Sequence, residues 1–426
     1  MERSVYLRTL RDAFACPCDE TRIYERFLLP DHAKGMWVWM NGETEPYLDL
    51  VCAFSANNFG HQHPALVEAA ASALHQVAVV HSFNTAAKLE LSEFLVTHLS
   101  AEGGYRVYFD VGGASAVSAA LRLARRHRSS DIVVAFDGAF HGTSYDSAGV
   151  SDDRLLDKQQ YGGQARVGQI LRLPYPNTYR GVTATQVLAR LEAVLTECRV
   201  AAVIVEPVQG AAGFVVPPPE FLPGVRAITA THGVILVDDD IQMGVGRAGY
   251  LYAMEHWNVQ PDIALLSKSL AGGFYPLSAV IARADLFDGV PAIGTAFQST
   301  FANNALGTAI ALQTLRFAQR ERVFEGARVR GRELLSRLAF LEDHPQIDNL
   351  HGLGLALAFE CVESKETRTP APALARRFVD IALEERVLLY PCGVDRNVIK
   401  LAPMLTVSEV DIDVICDRLR LCCQRL

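Results

Sequence analysis

The sequence predicts an α/β protein: a mostly parallel central sheet with helices on both faces, plus a smaller α+β domain built from the N- and C-terminal parts. Three observations carry this. From about residue 105 to 285, short β-rich runs alternate with helical stretches. Those runs are nearly continuous Val, Ile, Leu and Ala, the pattern of strands covered on both faces. The flanks, to about residue 50 and from about residue 310, lose this alternation and mix charged helices with short strands.

In chain order, Val107 to Phe109 reads as the first strand, and Gly112-Gly113-Ala114-Ser115 turns it into a helix beginning near Ala116 that carries Leu121, Arg122 and Ala124. Exposed amides at a helix start attract phosphate. Ile132 to Phe136 is the next strand, followed by a short loop with Phe140-His141-Gly142. Ala202 to Val205, Val234 to Val237, Ala264 to Leu266 and Ser278 to Ile281 complete the series, with Pro217-Pro218-Pro219 as a rigid loop. Further on, Glu321 to Glu342 has helical periodicity, and Leu353 to Glu360 and Val398 to Ala402 read as strands. No internal repeat or low-complexity tract appears. The expected division is an N-terminal arm at 1–50, a large domain at 51–310 and a small C-terminal domain at 311–426.

Composition narrows the function. A net charge of -8 with pI near 5.9 gives no basic footprint for nucleic acid and no attraction to anionic membranes, so small-molecule substrates are expected. Met1-Glu2-Arg3-Ser4 opens no basic stretch followed by an apolar core, and no apolar run is long enough to span a bilayer, which makes the expected compartment cytoplasmic. Nine cysteines, with Cys16-Pro17-Cys18 and Cys422-Cys423 the close pairs, show no zinc-like spacing and read as free thiols.

Ligands of parallel sheets bind beyond the carboxyl ends of the strands. Lys268 falls there, at the end of Asp262-Ile263-Ala264-Leu265-Leu266-Ser267, as do Asp238-Asp239-Asp240-Ile241-Gln242 and Glu206. A lysine delivered by a buried strand is desolvated enough to lose its proton and condense with an aldehyde. A carboxylate on a neighbouring strand holds a pyridine nitrogen protonated, which makes that ring an electron sink. Each feature alone has a plain explanation. A lysine after an apolar run commonly opens a helix in solvent, Phe-His-Gly is commonly packing plus a turn, and Glu206 is open to reading as a surface strand-end acid. Together they point to pyridoxal phosphate. The glycines at 112 and 113 give neither a GxGxxG fingerprint nor a Walker loop, which disfavours nucleotides.

The ordered motifs Asn58-Phe59-Gly60-His61-Gln62-His63-Pro64, the Gly113 loop, Phe140-His141-Gly142, Glu206-Pro207-Val208-Gln209-Gly210, Asp239-Asp240-Ile241-Gln242 with Gly244, Gly246 and Arg247, Ser267-Lys268 and Thr300-Phe301 resemble those of class III aminotransferases, of the fold-type I pyridoxal phosphate superfamily. The resemblance spans almost the whole chain. Within the class, Asp-Asp-Ile-Gln, Leu-Ser-Lys-Ser-Leu and His81-Ser82 look most like diaminobutyrate transaminases of ectoine biosynthesis. The resemblance implies that Lys268 carries pyridoxal 5'-phosphate as a Schiff base, Asp239 pairs with the pyridine nitrogen, Gln242 approaches the phenolic oxygen and Phe140 stacks on the ring beside His141. It further implies that amides around Gly113 and Ala114 hold the phosphate, joined by Thr300 of a neighbouring subunit, so that a homodimer shares its sites. Glu206 resembles an acid beside the cofactor, Phe54 a substrate-lining aromatic, and Gly272-Gly273 gives the backbone room near the lysine.

Three departures fall on positions that grip substrate carboxylates. Thr143 replaces a frequent arginine, and Ala211 replaces the glutamate that gates an arginine in ornithine-type enzymes; that arginine is itself Lys400 here. Lysine binds a carboxylate as a point charge without the bidentate fork, and Lys400 is equally open to reading as a solvated strand residue. Ectoine-type enzymes resemble this chain in the lysine but generally keep the gating glutamate. Val111, Gly112, Ser115 and Asn303 also depart from common residues without removing a catalytic group.

The expected activity is transfer of an amino group from a glutamate-like donor to a terminal aldehyde or oxo acid, with a diaminobutyrate and aspartate-semialdehyde pair leading. The alternatives are an aminotransferase for a non-carboxylate aldehyde, a decarboxylase or racemase on the same fold, and a non-catalytic cofactor-binding or scaffold protein.

Overall fold

The computed structural model describes residues 28–75, 83–152, 154, 168–290 and 299–426. His81-Ser82, Cys16-Pro17-Cys18 and the first half of the expected N-terminal arm lie outside the described residues.

Seven strands form the central sheet: β1 (Tyr105–Asp110), β2 (Ile132–Phe136), β3 (Ile170–Leu173), β4 (Val200–Val205), β5 (Ile235–Asp239), β6 (Ile263–Leu266) and β7 (Ser278–Arg283), in the order β1-β7-β6-β5-β4-β2-β3. The β3, β2, β4, β5 and β6 strands run parallel, and β7 is antiparallel to both neighbours. Both faces are covered, as the apolar runs require. Val133, Ala135, Ile204, Val237 and Leu265 face the helix Gly113–Arg128, while Val134, Phe136, Val203 and Leu236 pack with residues of the helices Ala184–Glu197 and Phe221–Thr231. The period of two along each strand sorts these residues to opposite faces.

Helix ends follow local chemistry. Thr183 and Gln186 close a capping box on Ala184–Glu197, and Arg125 to Arg128 place positive charge in the last turn of Gly113–Arg128. That helix begins at Gly113, three residues before the position expected from sequence, because Gly112 takes a φ of 82° that suits glycine.

The flanks are joined. Tyr47–Asp49 pairs in parallel with Val387–Leu388, in a four-stranded sheet with Pro30–Lys34 and Trp37–Met40. A second four-stranded sheet orders Ile347–Leu353, Ala356–Cys361, Val398–Leu401 and Tyr390–Cys392, antiparallel throughout. Two sequence expectations shift here. The Leu353 to Glu360 run is a strand from Ala356 on, as read, but begins at the tight turn at Gly354, φ 60°, that joins it to Ile347–Leu353. The Glu321 to Glu342 periodicity resolves into the α-helix Val323–Arg337 and the 3₁₀ turn Ala339–Asp343.

Candidate active site

The carboxyl ends of β4, β5 and β6 deliver Glu206, Asp239 and Lys268 to one place. Asp239 is the last residue of β5, opposite Leu265 of β6, and Lys268 lies two residues past the end of β6. Lys268 has a φ of 44°, a left-handed conformation that L residues with a β-carbon avoid. Ser267 Oγ donates to the Leu277 carbonyl at 3.0 Å, and Leu270 N donates to the Ser267 carbonyl at 2.9 Å, which brace the turn on both sides.

Part of the Lys268 residue remains accessible, but its charged end is enclosed. That enclosure governs its proton affinity: burial, then the Lys400 ammonium, lower the amine to about 7, against Glu206 and Asp239, which raise it. Glu206 moves the other way, pushed up to about 7 chiefly by burial, although it accepts the amides of Phe140 and Gly210, each at 2.9 Å. Burial thus brings the Lys268 amine and the Glu206 carboxyl both toward about 7, a range suited to proton transfer at physiological pH.

Asp239 is buried, its Oδ2 lying 2.6 Å from His141 Nδ1 and its Oδ1 accepting the Ile241 amide at 3.2 Å. His141 Nε2 is buried and unpartnered among the described residues. The flanking Asp238 and Asp240 point to the other face of the strand and are fully buried. Burial, reinforced by nearby aspartates, holds both carboxyls well above the usual range. Of the three, Asp239 is the one that meets His141.

Close backbone approaches assemble the rest. A β-carbon on Gly142 would meet Ala114 Cβ at 2.9 Å, and one on Gly113 would meet Ile241 Cδ1 at 2.9 Å. The Phe140-His141-Gly142 loop, the helix start and the strand end are thus pressed together, with Phe140 left 37% exposed. Gly112 supplies no side-chain cap, so among the described residues the first amides of the sixteen-residue helix Gly113–Arg128 are left open to an anion. A buried carboxylate for a ring nitrogen, an uncapped helix start for a phosphate, an exposed aromatic face and an enclosed low-affinity amine fit pyridoxal phosphate.

Gln242 Nε2 donates to the Phe54 carbonyl at 3.2 Å. Phe54 itself sits in a turn whose residues Cys52, Ala53, Phe54 and Ser55 all have positive φ. Its ring meets Tyr390 edge-on at 5.1 Å. Lys400, 8% exposed, donates to the Gly210 carbonyl at 3.1 Å and lies 4.9 Å from the Phe214 ring centre and 6.0 Å from that of Phe54. The reading of Lys400 as a solvated strand residue is thereby overturned: it points inward, lining a small cavity with Phe54, Phe214, Gln242 and Tyr390. Phe214 and Tyr390 escape a reading by motif, because only the fold brings them to Lys400. Thr300 lies exposed on a turn, and no hydrogen bond among the described residues joins it to this cluster.

Comparison with known proteins is consistent across sequence and structure. The family model for aminotransferase class-III matches residues 21–423. The chain is 30% identical over 394 residues to the 4-aminobutyrate aminotransferase of Escherichia coli strain K12, covering 90% of this chain and 91% of that protein. It is 32% identical over 407 residues to a succinylornithine transaminase of Salmonella paratyphi A, covering 94% and 93%. Its fold superposes on an S-selective transaminase from Arthrobacter sp. with a TM-score of 0.89 at 23% identity, covering 100% of this chain and 98% of that one.

Proposed function

The chain belongs to the class-III aminotransferase family, a pyridoxal 5'-phosphate-dependent family of fold-type I, and from that premise we propose that it moves an amino group from a carboxylate-bearing, glutamate-like donor to a terminal aldehyde or oxo acid. The observation that carries the donor class is Lys400, a buried ammonium whose partners are one carbonyl and two aromatic faces. Such a cation suits a carboxylate. The relatives named for 4-aminobutyrate and succinylornithine support terminal amines as the reacting group. A diaminobutyrate and aspartate-semialdehyde pair, as in ectoine-type enzymes, meets both demands.

Pyridoxal phosphate, when bound, supplies a ring that withdraws electrons from the substrate carbon. The residue roles in this reading are these. Lys268 would hold the cofactor through its amine and would carry the proton to and from the substrate carbon. Asp239 would keep a proton on the ring nitrogen, with His141 orienting Asp239. Gly113 and Ala114 amides would hold the phosphate, with Thr300 of a second subunit. Phe140 would pack on the ring, Glu206 and Gln242 would lie beside it, and Phe54 would border the substrate.

The exposed aromatics Phe83, Phe274 and Phe301 are in keeping with a homodimer. The division into 1–50, 51–310 and 311–426 belongs to the same reading, as does a cytoplasmic location. Among the described residues no helix is long and apolar enough to cross a membrane.

A second reading, an aminotransferase for aldehydes lacking a carboxylate, is favoured by the Gly210 carbonyl already occupying Lys400 and by the aromatic lining around it. The deciding experiment follows the absorbance of the bound cofactor during half-reactions with glutamate, 4-aminobutyrate, diaminobutyrate and simple monoamines. Conversion by the amino acids and not the monoamines supports the first reading. The reverse preference sinks it.

A further inference from the structure

Arg247 is among the largest fully buried side chains, and among the described residues no carboxylate forms a salt bridge with it. Its Nε and Nη2 donate to Asn58 Oδ1 at 3.1 and 2.6 Å, and its Nη1 donates to the carbonyls of Leu355 and Pro403 at 2.9 and 2.7 Å. Its hydrogen-bond acceptors are neutral, with Cys52 and the field of Asp49 also acting on the guanidinium, and a buried cation without an ion-pair partner destabilises the fold relative to an apolar filler. Packing alone is a poor account of it.

The bonds lead to the cofactor lysine. Asn58 Nδ2 donates to Ser269 Oγ at 2.9 Å, and Ser269 directly follows Lys268, whose φ of 44° has to be imposed by its surroundings. Asn58 is itself fixed from a third side, since its carbonyl accepts the Leu405 amide at 2.6 Å. The guanidinium thus ties the Lys268 turn, the Asn58 segment and the chain after Lys400 into one unit. Arg247 is also one of the cations whose field opposes a proton on Lys268.

We propose that Arg247 is a positioning residue for the reaction: through Asn58 and Ser269 it holds the left-handed backbone of Lys268. The inference rests on Lys268 being the cofactor lysine. It is specific to the Asn58–Ser269 bond.

Two small changes test it without emptying the core. Ser269→Ala removes the last bond of the chain, and Asn58→Asp keeps the shape while setting a carboxylate against the guanidinium. In the holoenzyme, Ser269→Ala should lower kcat by about 10-fold with KM and cofactor affinity changed by no more than about twofold. Asn58→Asp should raise the pH midpoint of the cofactor's visible absorbance by about half a unit or more, because the neutralised guanidinium no longer opposes a proton on the lysine nitrogen. Arg247→Lys, which keeps the charge and loses the fork, should hold that midpoint while sharing the kcat loss. If the variants lose thermal stability but keep wild-type kcat and midpoint, Arg247 is only a core staple and the proposal is overturned. If the wild-type cofactor responds to no amino donor while Asn58→Asp still moves the midpoint, the aminotransferase reading fails and the positioning role stands. Borohydride labelling of a lysine other than Lys268 overturns the proposal.

Discussion

His141 Nδ1 lies 2.6 Å from Asp239 Oδ2, with both side chains buried. Against an ionised carboxylate the ring nitrogen must be the donor, and such charge-assisted bonds fix geometry as well as energy. The Ile241 amide takes the other oxygen at 3.2 Å. Asp239 is therefore aimed before any ligand arrives.

The first prediction follows from that aim. Asp239→Asn should retain cofactor but slow the half-reaction by about 10²-fold or more, the scale of a preorganised charge in a dry site. His141→Ala should keep the charge and lose its orientation, giving a smaller loss of about 10-fold. Stopped-flow absorbance on both variants checks the ranking, and near-normal rates for Asp239→Asn would falsify the assigned role.

Much of this site is legible in the sequence because its strands are covered on both faces, so that β4, β5 and β6 read as apolar runs whose ends carry Glu206, Asp239 and Lys268. The strand β3 is hidden by Arg172, whose guanidinium bonds the carbonyls of Gly149 and Val150 at 2.9 and 3.1 Å, a polar role that breaks the apolar signal. The contact of Arg247 with Asn58 joins residues 189 positions apart, and Lys400 reaches Gly210 across 190. No local pattern encodes such meetings. The inward turn of Lys400 is set by the pairing of Val398–Leu401 with Ala356–Cys361, which periodicity in either segment alone leaves open.

The second prediction concerns pH and the apoenzyme. Glu206 binds its proton more tightly when folded, at about 7 against 4.5, so its contribution to stability is full below 4.5 and is lost as pH rises to about 7. Lys268 is lowered to about 7 from 10.5, so its cost is full below about 7 and is relieved as pH climbs toward 10.5. The two together place the least favourable contribution near neutrality. Glu206→Gln should therefore gain thermal stability relative to wild type as pH is raised from about 5 to 7, and the gap should level off above that. A gap independent of pH would mean that Glu206 is not desolvated.

A third prediction comes from Asp238, which is fully buried with neither carboxyl oxygen hydrogen-bonded among the described residues. Its partners on the adjacent strands, Val205 and Ala264, are apolar, and valine, β-branched and only modestly larger, suits a strand. Asp238→Val should stabilise the protein by about 1–3 kcal/mol, the usual cost of an unsatisfied buried polar group. Burial, followed by Asp240, raises the Asp238 carboxyl, so the advantage of valine should widen as pH is raised. Urea unfolding at two pH values measures both effects, and destabilisation by valine would show that Asp238 has a partner in the working enzyme.

The last prediction asks what Lys400 recognises. Its ammonium rests on the Gly210 carbonyl at 3.1 Å and against the rings of Phe214 and Phe54, so a substrate carboxylate would meet a cation already oriented and largely dehydrated. Lys400→Met keeps the stem and removes the charge. It should raise the KM for glutamate or diaminobutyrate by about 10-fold or more, the scale of a hydrogen bond to a charged group, while a monoamine is little affected. Lys400→Arg should rescue only in part, because the larger planar fork cannot occupy the same contacts with Phe214 and the Gly210 carbonyl. Ala211 stands beside that carbonyl, and Ala211→Glu brings a competing carboxylate, so it should weaken amino acid donors and spare monoamines. Steady-state kinetics with paired donors read all three variants. If carboxylated donors and monoamines suffer alike, Lys400 serves the packing of the cavity, and the aldehyde-aminating reading takes over.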